Sequence, residues 1–370
     1  MPPIHILMKP ASGLCNMRCG YCFYADEMER RLQASYGIMS LETLENVLRK
    51  VLDFAEGECT IAFQGGEPTL AGLDFYRECL LLEKKYNRRK LKIYHAIQTN
   101  GILLDGEWCS FFAENGFLVG LSVDGVKATH DAFRHDAQGG DTYFRVLDAA
   151  RMLKAAGAEF NILTVVNGKT APKIGRIYEN YRKLGFVWQQ YIACLDPAGE
   201  RRGMREYALT PEAYGAFLVE LFELWYLDLL KGRQPYIRQF ENYIGILAGR
   251  EPESCEQRGV CSFQNIVEAD GSVYPCDFYC TDEYRLGNLN DDDMETILGR
   301  LGGIGFLEPS ARRGEQCAEC PYLKVCRGGC RRHREMPDGT LGDNYFCESY
   351  RMFFDACLPR MRRIAAALLS

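Results

Sequence analysis

The chain has 370 residues, long enough for two cores, with an ordinary 47% apolar and 25% charged content. Its net charge of −6 gives no reason to expect nucleic acid or an anionic membrane as partner, and no apolar stretch approaches bilayer-spanning length. Seventeen cysteines behind a start, Met1-Pro-Pro-Ile-His-Ile6, that has neither a charged n-region nor an apolar h-region point to the cytoplasm, where thiols stay reduced and serve as metal ligands.

In chain order, short apolar runs predict strands at 4–9, 59–64, 91–98, 117–122, 159–166 and 187–193, each followed by a helical pattern. Leu44, Val47, Leu48, Val51 and Phe54 mark one apolar helix face, with Ser40 as N-cap and Gly57 past the end. Thr210-Pro211 opens a long helix that Gly232 closes. Repeated βα units imply a parallel sheet. Polar or glycine-rich groups follow the strand ends: Cys15, then Gly65-Gly66-Glu67-Pro68, Gln98-Thr99-Asn100-Gly101, Ser122 with Asp124, Asn167, and Cys194-Leu195. Such loops form the active face of a (βα) barrel, and a full barrel takes eight units over about 250 residues. Six units by residue 235 give an α/β chain with a partial (βα)6 TIM-like barrel, open along one side to a large substrate. Gly65-Gly66-Glu67-Pro68 is neither a Walker loop nor a Rossmann fingerprint. Its paired glycines let backbone approach a ligand closely, and Glu67 offers a carboxylate to an ammonium group.

Cys15, Cys19 and Cys22 are spaced C-x3-C-x2-C, with no fourth cysteine until Cys59. Three thiolates hold three corners of an iron–sulfur cube and leave the fourth iron open, whereas zinc normally wants four tight ligands. After Arg250 the βα alternation stops and a small cysteine-rich domain begins. Its order is Cys255-x5-Cys261-x14-Cys276, then Cys317-x2-Cys320-x5-Cys326-x3-Cys330, then Cys347, with Gly271 marking a hairpin turn before Cys276. Eight cysteines make two four-thiolate sites, and two structural zinc ions satisfy that spacing as well as two clusters do. By analogy with two-cluster ferredoxins, Cys330 joins Cys255, Cys261 and Cys276, leaving Cys317, Cys320, Cys326 and Cys347 as the second set. Most of Cys59, Cys79, Cys109, Cys194, Cys280 and Cys357 read as small core hydrophobes, Cys280 being surplus to the array. His333, within Arg331-Arg-His-Arg334, reads as part of a solvated basic turn, and 352–369 as a helix packed on the body.

The loop around Cys15 resembles that of radical S-adenosylmethionine (radical SAM) enzymes, and the later array resembles their SPASM extension, which carries two auxiliary [4Fe-4S] clusters. With Gln64-Gly-Gly-Glu-Pro68, Gln98-Thr-Asn-Gly101, Leu121-Ser-Val-Asp-Gly125, Cys194-Leu-Asp-Pro197, Asp270-Gly-Ser-Val-Tyr-Pro-Cys-Asp-Phe-Tyr279 and Cys326-Arg-Gly-Gly-Cys-Arg-Arg332, the chain is similar nearly end to end to anaerobic sulfatase-maturating enzymes. Val126 stands where that pattern has proline. The resemblance implies a radical SAM part over 1–235 and a SPASM part over 236–370, three [4Fe-4S] clusters, and SAM held by Tyr21, Gly66, Ser122, Arg134 and Leu195, with Glu67 suited to the methionine amine. It implies oxidation of a Cys or Ser in a C/S-x-P/A-S-R segment of a sulfatase to Cα-formylglycine. A 5′-deoxyadenosyl radical takes a Cβ hydrogen, Asp277 accepts the heteroatom's proton, and the auxiliary clusters take the electron. It further implies a flavodoxin- or ferredoxin-type reductant and a monomer. One rival is a SPASM maturase that forms a thioether or carbon crosslink in a ribosomal peptide; many of those carry a leader-binding domain, while this chain is expected to reach its first strand by Ile4. The other rival, a non-catalytic electron carrier or zinc scaffold, needs neither an open iron nor a barrel.

Overall fold

The computed structural model describes residues 3–369. Two compact units are formed: one takes in the chain up to Ser122 with Arg134–Phe160 and Ser262–Phe306, the other Val123–Phe133, Asn161–Cys261 and the chain from Leu307 onward.

In the first unit, strands Ile4–Met8, Glu58–Phe63, Lys92–Thr99 and Phe117–Ser122 pair in parallel in that order, each within one residue of its expected bounds. Ile6, Met8, Ile61, Phe63, Ile97, Val119 and Leu121 are buried, as expected of a parallel sheet covered by helices. The helix Leu41–Phe54 starts where Ser40 accepts the Thr43 N–H at 3.0 Å, and it buries Leu44, Val47, Leu48 and Val51 against the helix Leu73–Tyr86. Tyr76 packs edge-on against Phe63 and Trp108, with centroids 5.0 and 5.3 Å away.

Beyond Ile4–Met8 the sheet continues with residues from late in the chain. Ile266 and Val267 pair in parallel with Leu7 and Met8, and Ser272–Tyr274 and Gly287–Asn288 follow antiparallel. The expected turn at Gly271 has φ +86°, and a Cβ there would meet Asn288 Oδ1 at 2.7 Å, so only glycine fits. Separately, Met17–Cys19 pairs antiparallel with Arg134–Asp136, setting Cys19 opposite Arg134.

The second unit has parallel strands: Phe160–Val166 from its second residue on, Trp188–Ala193 and the short Tyr236–Ile237. Thr210 caps the helix Pro211–Leu230 by accepting the Ala213 N–H at 3.2 Å. This helix lies so close to the terminal helix Cys347–Ala367 that a Cβ on Gly215 would meet Met352 Sδ at 2.7 Å. The tail is therefore a packed helix, as expected, and among the described residues no helix is long and apolar enough to cross a membrane. The expected solvated turn at His333 is not found: Arg331–Arg334 is a helical turn with all four side chains buried, Arg334 at 2% exposure. Cationic runs read as solvated because water is their usual partner, and here Glu335, Glu256 and the carbonyls of Asp196, Ser310 and Arg312 take that place.

Candidate active site and cluster ligands

The cysteine loop runs between the strand Ile4–Met8 and the helix Phe23–Glu29, with Cys15 exposed and Cys19 and Cys22 half-buried. Strand pairing brings the Arg134 guanidinium 3.9 Å from Cys19 Sγ and over the Tyr21 ring, 5.5 Å from its centroid. Two expected SAM contacts thus stand together beside the middle cysteine. Gly66 donates its N–H to Ser12 O and Glu67 to Leu14 O, both at 2.8 Å, so the glycine loop backs directly onto the cysteine loop. A Cβ on Gly66 would lie 2.0 Å from Leu14 O, which explains the missing side chain.

Glu67 has a task besides the one its sequence suggested. Its buried carboxylate accepts from Thr69 N and Oγ1, from Thr99 Oγ1 at 2.8 Å and from Asn100 N at 2.8 Å. Three of those donors meet Oε1 and one, Asn100 N, meets Oε2, so acceptor capacity for an ammonium group remains at Oε2. Glu67 ties the second strand end to the third, and Asn100 Nδ2 in turn reaches Asn16 Oδ1 at 2.7 Å and Cys15 Sγ at 3.8 Å. Ser122 is buried at the end of its strand; Leu195, in the second unit, follows Trp188–Ala193 half-buried.

Asp277 is the centre of a buried polar network built on the parallel pairing of Ile266–Val267 with Ile4–Met8. Its Oδ2 accepts from Tyr24 Oη at 2.6 Å and Gln64 Nε2 at 3.0 Å, and its Oδ1 lies 3.1 Å from Lys9 Nζ. Lys9, 1% exposed, also pairs with Glu27 at 3.2 Å and Glu268 at 3.9 Å, and donates to Cys280 Sγ at 3.1 Å. Arg31 meets Glu268 at 2.5 Å. Two cations therefore face three carboxylates. Burial, with Asp277 nearby, pushes the Glu27 carboxyl up to about 7 against the pull of Lys9, so near neutral pH it sheds the excess charge by taking a proton. Cys280 is accounted for here: it sits under Asp277 in the apolar cluster of Leu7, Ile266 and Tyr274, with its N–H on Glu27. Lys9, Tyr24 and Gln64 were not singled out from sequence, although Tyr24 follows the cysteine loop directly and Gln64 precedes the glycine pair.

In the second unit, Cys330 is within electrostatic reach of Cys255 and Cys261, and Cys326 of Cys347, Cys317 and Cys320. Cys276, in the first unit, is buried one residue before Asp277. Among the described residues no three His, Cys, Asp or Glu side chains converge tightly enough to share one metal ion. Thiolates on separate irons of a cluster stand wider apart than that.

The donor set suits clusters in a second way, because amide N–H groups aim at sulfur. Met17 N donates to Cys15 Sγ at 3.4 Å, Ala25 and Tyr24 amides to Cys22, Glu256 to Cys255, Arg331 to Cys261, Gly328 to Cys326 and Arg332 to Cys330. Among the described residues none reaches the core thiols Cys59, Cys79 or Cys109. Such bonds favour thiolate and tune iron–sulfur centres. Burial alone favours the thiol, holding Cys15 at about 11 and Cys326 at about 12, so the charge these amides await comes with bound metal.

Residues 10–180 match the radical SAM superfamily and 255–321 the iron–sulfur cluster-binding SPASM domain. The chain is 44% identical over 99% of both lengths to the cysteine-type anaerobic sulfatase-maturating enzyme of Clostridium perfringens. It is 31% identical, over 97% of its own length and 86% of the relative's, to the serine-type enzyme of Klebsiella aerogenes. The solved structure of native anSMEcpe with bound AdoMet and Cp18Cys peptide superposes with a TM-score of 0.94 at 44% identity, covering 99% of this chain and 100% of that one. Streptococcus suis SuiB, at 18% identity and a TM-score of 0.59 over 93% of this chain and 77% of its own, shares the fold alone. The fold is thus the α/β radical SAM fold with a SPASM domain, and the chain belongs to the anaerobic sulfatase-maturating enzymes.

Proposed function

We propose that this protein oxidises the cysteine of a C-x-P/A-S-R segment in a sulfatase to Cα-formylglycine, the cysteine preference following from 44% identity to a cysteine-type relative against 31% to a serine-type one. Cys15, Cys19 and Cys22 hold the open cluster. Tyr21, Gly66, Ser122, Arg134 and Leu195 hold SAM, with Glu67, which also fixes the loop that carries Gly66, suited to the methionine amine. Cys255, Cys261, Cys276 and Cys330 hold one auxiliary cluster, and Cys317, Cys320, Cys326 and Cys347 the other. The matches at 10–180 and 255–321 support a division into a radical SAM part at 1–235 and a SPASM part at 236–370. When bound, SAM and the clusters supply a 5′-deoxyadenosyl radical that removes a Cβ hydrogen and a sink for the electron that remains.

The chain's own task is to manage the proton, and the observation that carries this reading is the setting of Asp277. Tyr24 and Gln64 fix its Oδ2 by two hydrogen bonds, while the Lys9 ammonium lies 3.1 Å from its Oδ1. Loss of the thiol proton to Asp277 turns the substrate carbon radical into a stronger reductant. The chain acts in the cytoplasm as a monomer, with a flavodoxin- or ferredoxin-type reductant. Anaerobic incubation with C-x-P-S-R and S-x-P-S-R peptides, read by mass spectrometry, tests the assignment. The cysteine peptide is expected to change mass as CH2SH becomes CHO, faster than the serine peptide changes as CH2OH becomes CHO. A crosslinked product, or none, would reject formylglycine formation.

A further inference from the structure

The following rests on the cluster assignment above. In the second unit, the helical turn after Cys330 buries three guanidinium groups in four residues. Arg332 faces Glu335 at 3.5 Å and donates to Asp196 O at 3.0 Å. His333 lies 3.4 Å from Glu256; burial, and beside it Arg202, Arg332 and Arg334, lower its basicity against that carboxylate's pull.

Arg334 is different. It is 2% exposed, its Nη2 donates to Ser310 O at 2.5 Å and its Nη1 to Arg312 O, and among the described residues its Nε has no partner and no carboxylate pairs with it. Burial, and beside it Arg313, lower its basicity; Cys261, Cys330 and Cys317, as thiolates, are the groups that favour its charge. Ser310 links it further to the first of these, since Cys261 N donates to Ser310 Oγ at 2.9 Å. A buried guanidinium with no anion is costly. Neutral thiols do not answer that charge, whereas thiolates on iron do. Two of these thiols belong to one auxiliary set and the third to the other, so a single cation serves both.

We infer that Arg334 is a positioning residue for electron transfer, its buried cation stabilising the extra negative charge that an auxiliary cluster gains on reduction. The step it favours balances as follows. The substrate radical loses the S–H proton to Asp277 and one electron to the cluster, and C=S forms. Net charge and burial set iron–sulfur potentials, so removing this cation makes the clusters poorer acceptors.

The test uses full-length protein in a Cys15→Ala, Cys19→Ala, Cys22→Ala background, which leaves the auxiliary sites alone to hold clusters. Iron content comes first: no clusters in this background would overturn the assignment itself, and the inference with it. With clusters loaded, Arg334→Gln should lower a midpoint potential in an EPR-monitored titration by the equivalent of about tenfold in the one-electron equilibrium, about 59 mV. Arg334→Lys, which keeps the charge, should stay near the parent value. Should Arg334→Gln fail to load iron while Arg334→Lys loads fully, charge is again what the clusters require. An unchanged potential in Arg334→Gln, or the same fall or iron loss in both variants, would overturn the inference.

Discussion

The Asp277→Asn protein is expected to keep all three clusters and cleave SAM with dithionite, while its formylglycine yield per 5′-deoxyadenosine falls by about 100- to 10,000-fold, the range of general-base assistance. The substitution preserves shape but removes the proton acceptor that Tyr24, Gln64 and Lys9 jointly orient. SAM cleavage depends on the cysteine loop and the loops ending the next two strands; the asparagine oxygen can still accept from Tyr24 and Gln64, which border those loops, so the two yields should separate. Liquid chromatography of both products from one reaction gives the ratio. Coupled, wild-type turnover would remove Asp277 from the mechanism.

Lys9→Met is the second large effect, and it acts on stability and coupling together. Lys9 is buried among Asp277, Glu27, Glu268 and Cys280, so deleting its ammonium leaves three carboxylates with Arg31 as their sole cation. Breaking a buried pair by removing one partner costs about 3–5 kcal/mol. The pH dependence has a definite sign. Burial and its neighbours raise Glu27 from 4.5 to about 7 in the fold, so the stability it contributes is present below its ordinary value and lost as pH rises through about 7. Lys9 opposes that rise, so its removal extends the loss to higher pH. The variant should therefore recover toward wild type as the pH is lowered from 8 to 6, read as the thermal unfolding midpoint under anaerobic conditions. It should also make less formylglycine per SAM cleaved. An unfolding midpoint independent of Lys9 would show that the network bears no load.

The six strands were legible because parallel, helix-covered strands are apolar runs bounded by turn residues, and each was found within one residue of expectation. Ser40 and Thr210 were legible for a local reason too, since an N-cap acts on amides two or three residues away. Lys9 was not legible. It ends an apolar strand in the first ten residues, and its meaning comes from Asp277, which reaches it only because a late strand, Ile266–Val267, pairs beside Ile4–Met8. The bracing by Glu67 was not legible either. Its place after a glycine pair suits a ligand, and sequence does not show that Thr99 and Asn100, from the end of the next strand, bond to it too. Arg331–Arg334 looked solvated because four consecutive charged or polar residues usually are; sequence does not show that cysteines from three separate stretches gather around them.

One labelled peptide addresses hydrogen removal from Cβ and its coupling to oxidation at once. A C-x-P-S-R peptide deuterated at both Cβ positions of its cysteine should, under anaerobic turnover with SAM and reductant, yield singly deuterated 5′-deoxyadenosine and singly deuterated formylglycine in equal amounts. Unlabelled 5′-deoxyadenosine alongside formylglycine, or labelled 5′-deoxyadenosine with the peptide returned unoxidised by the wild-type protein, would contradict the account.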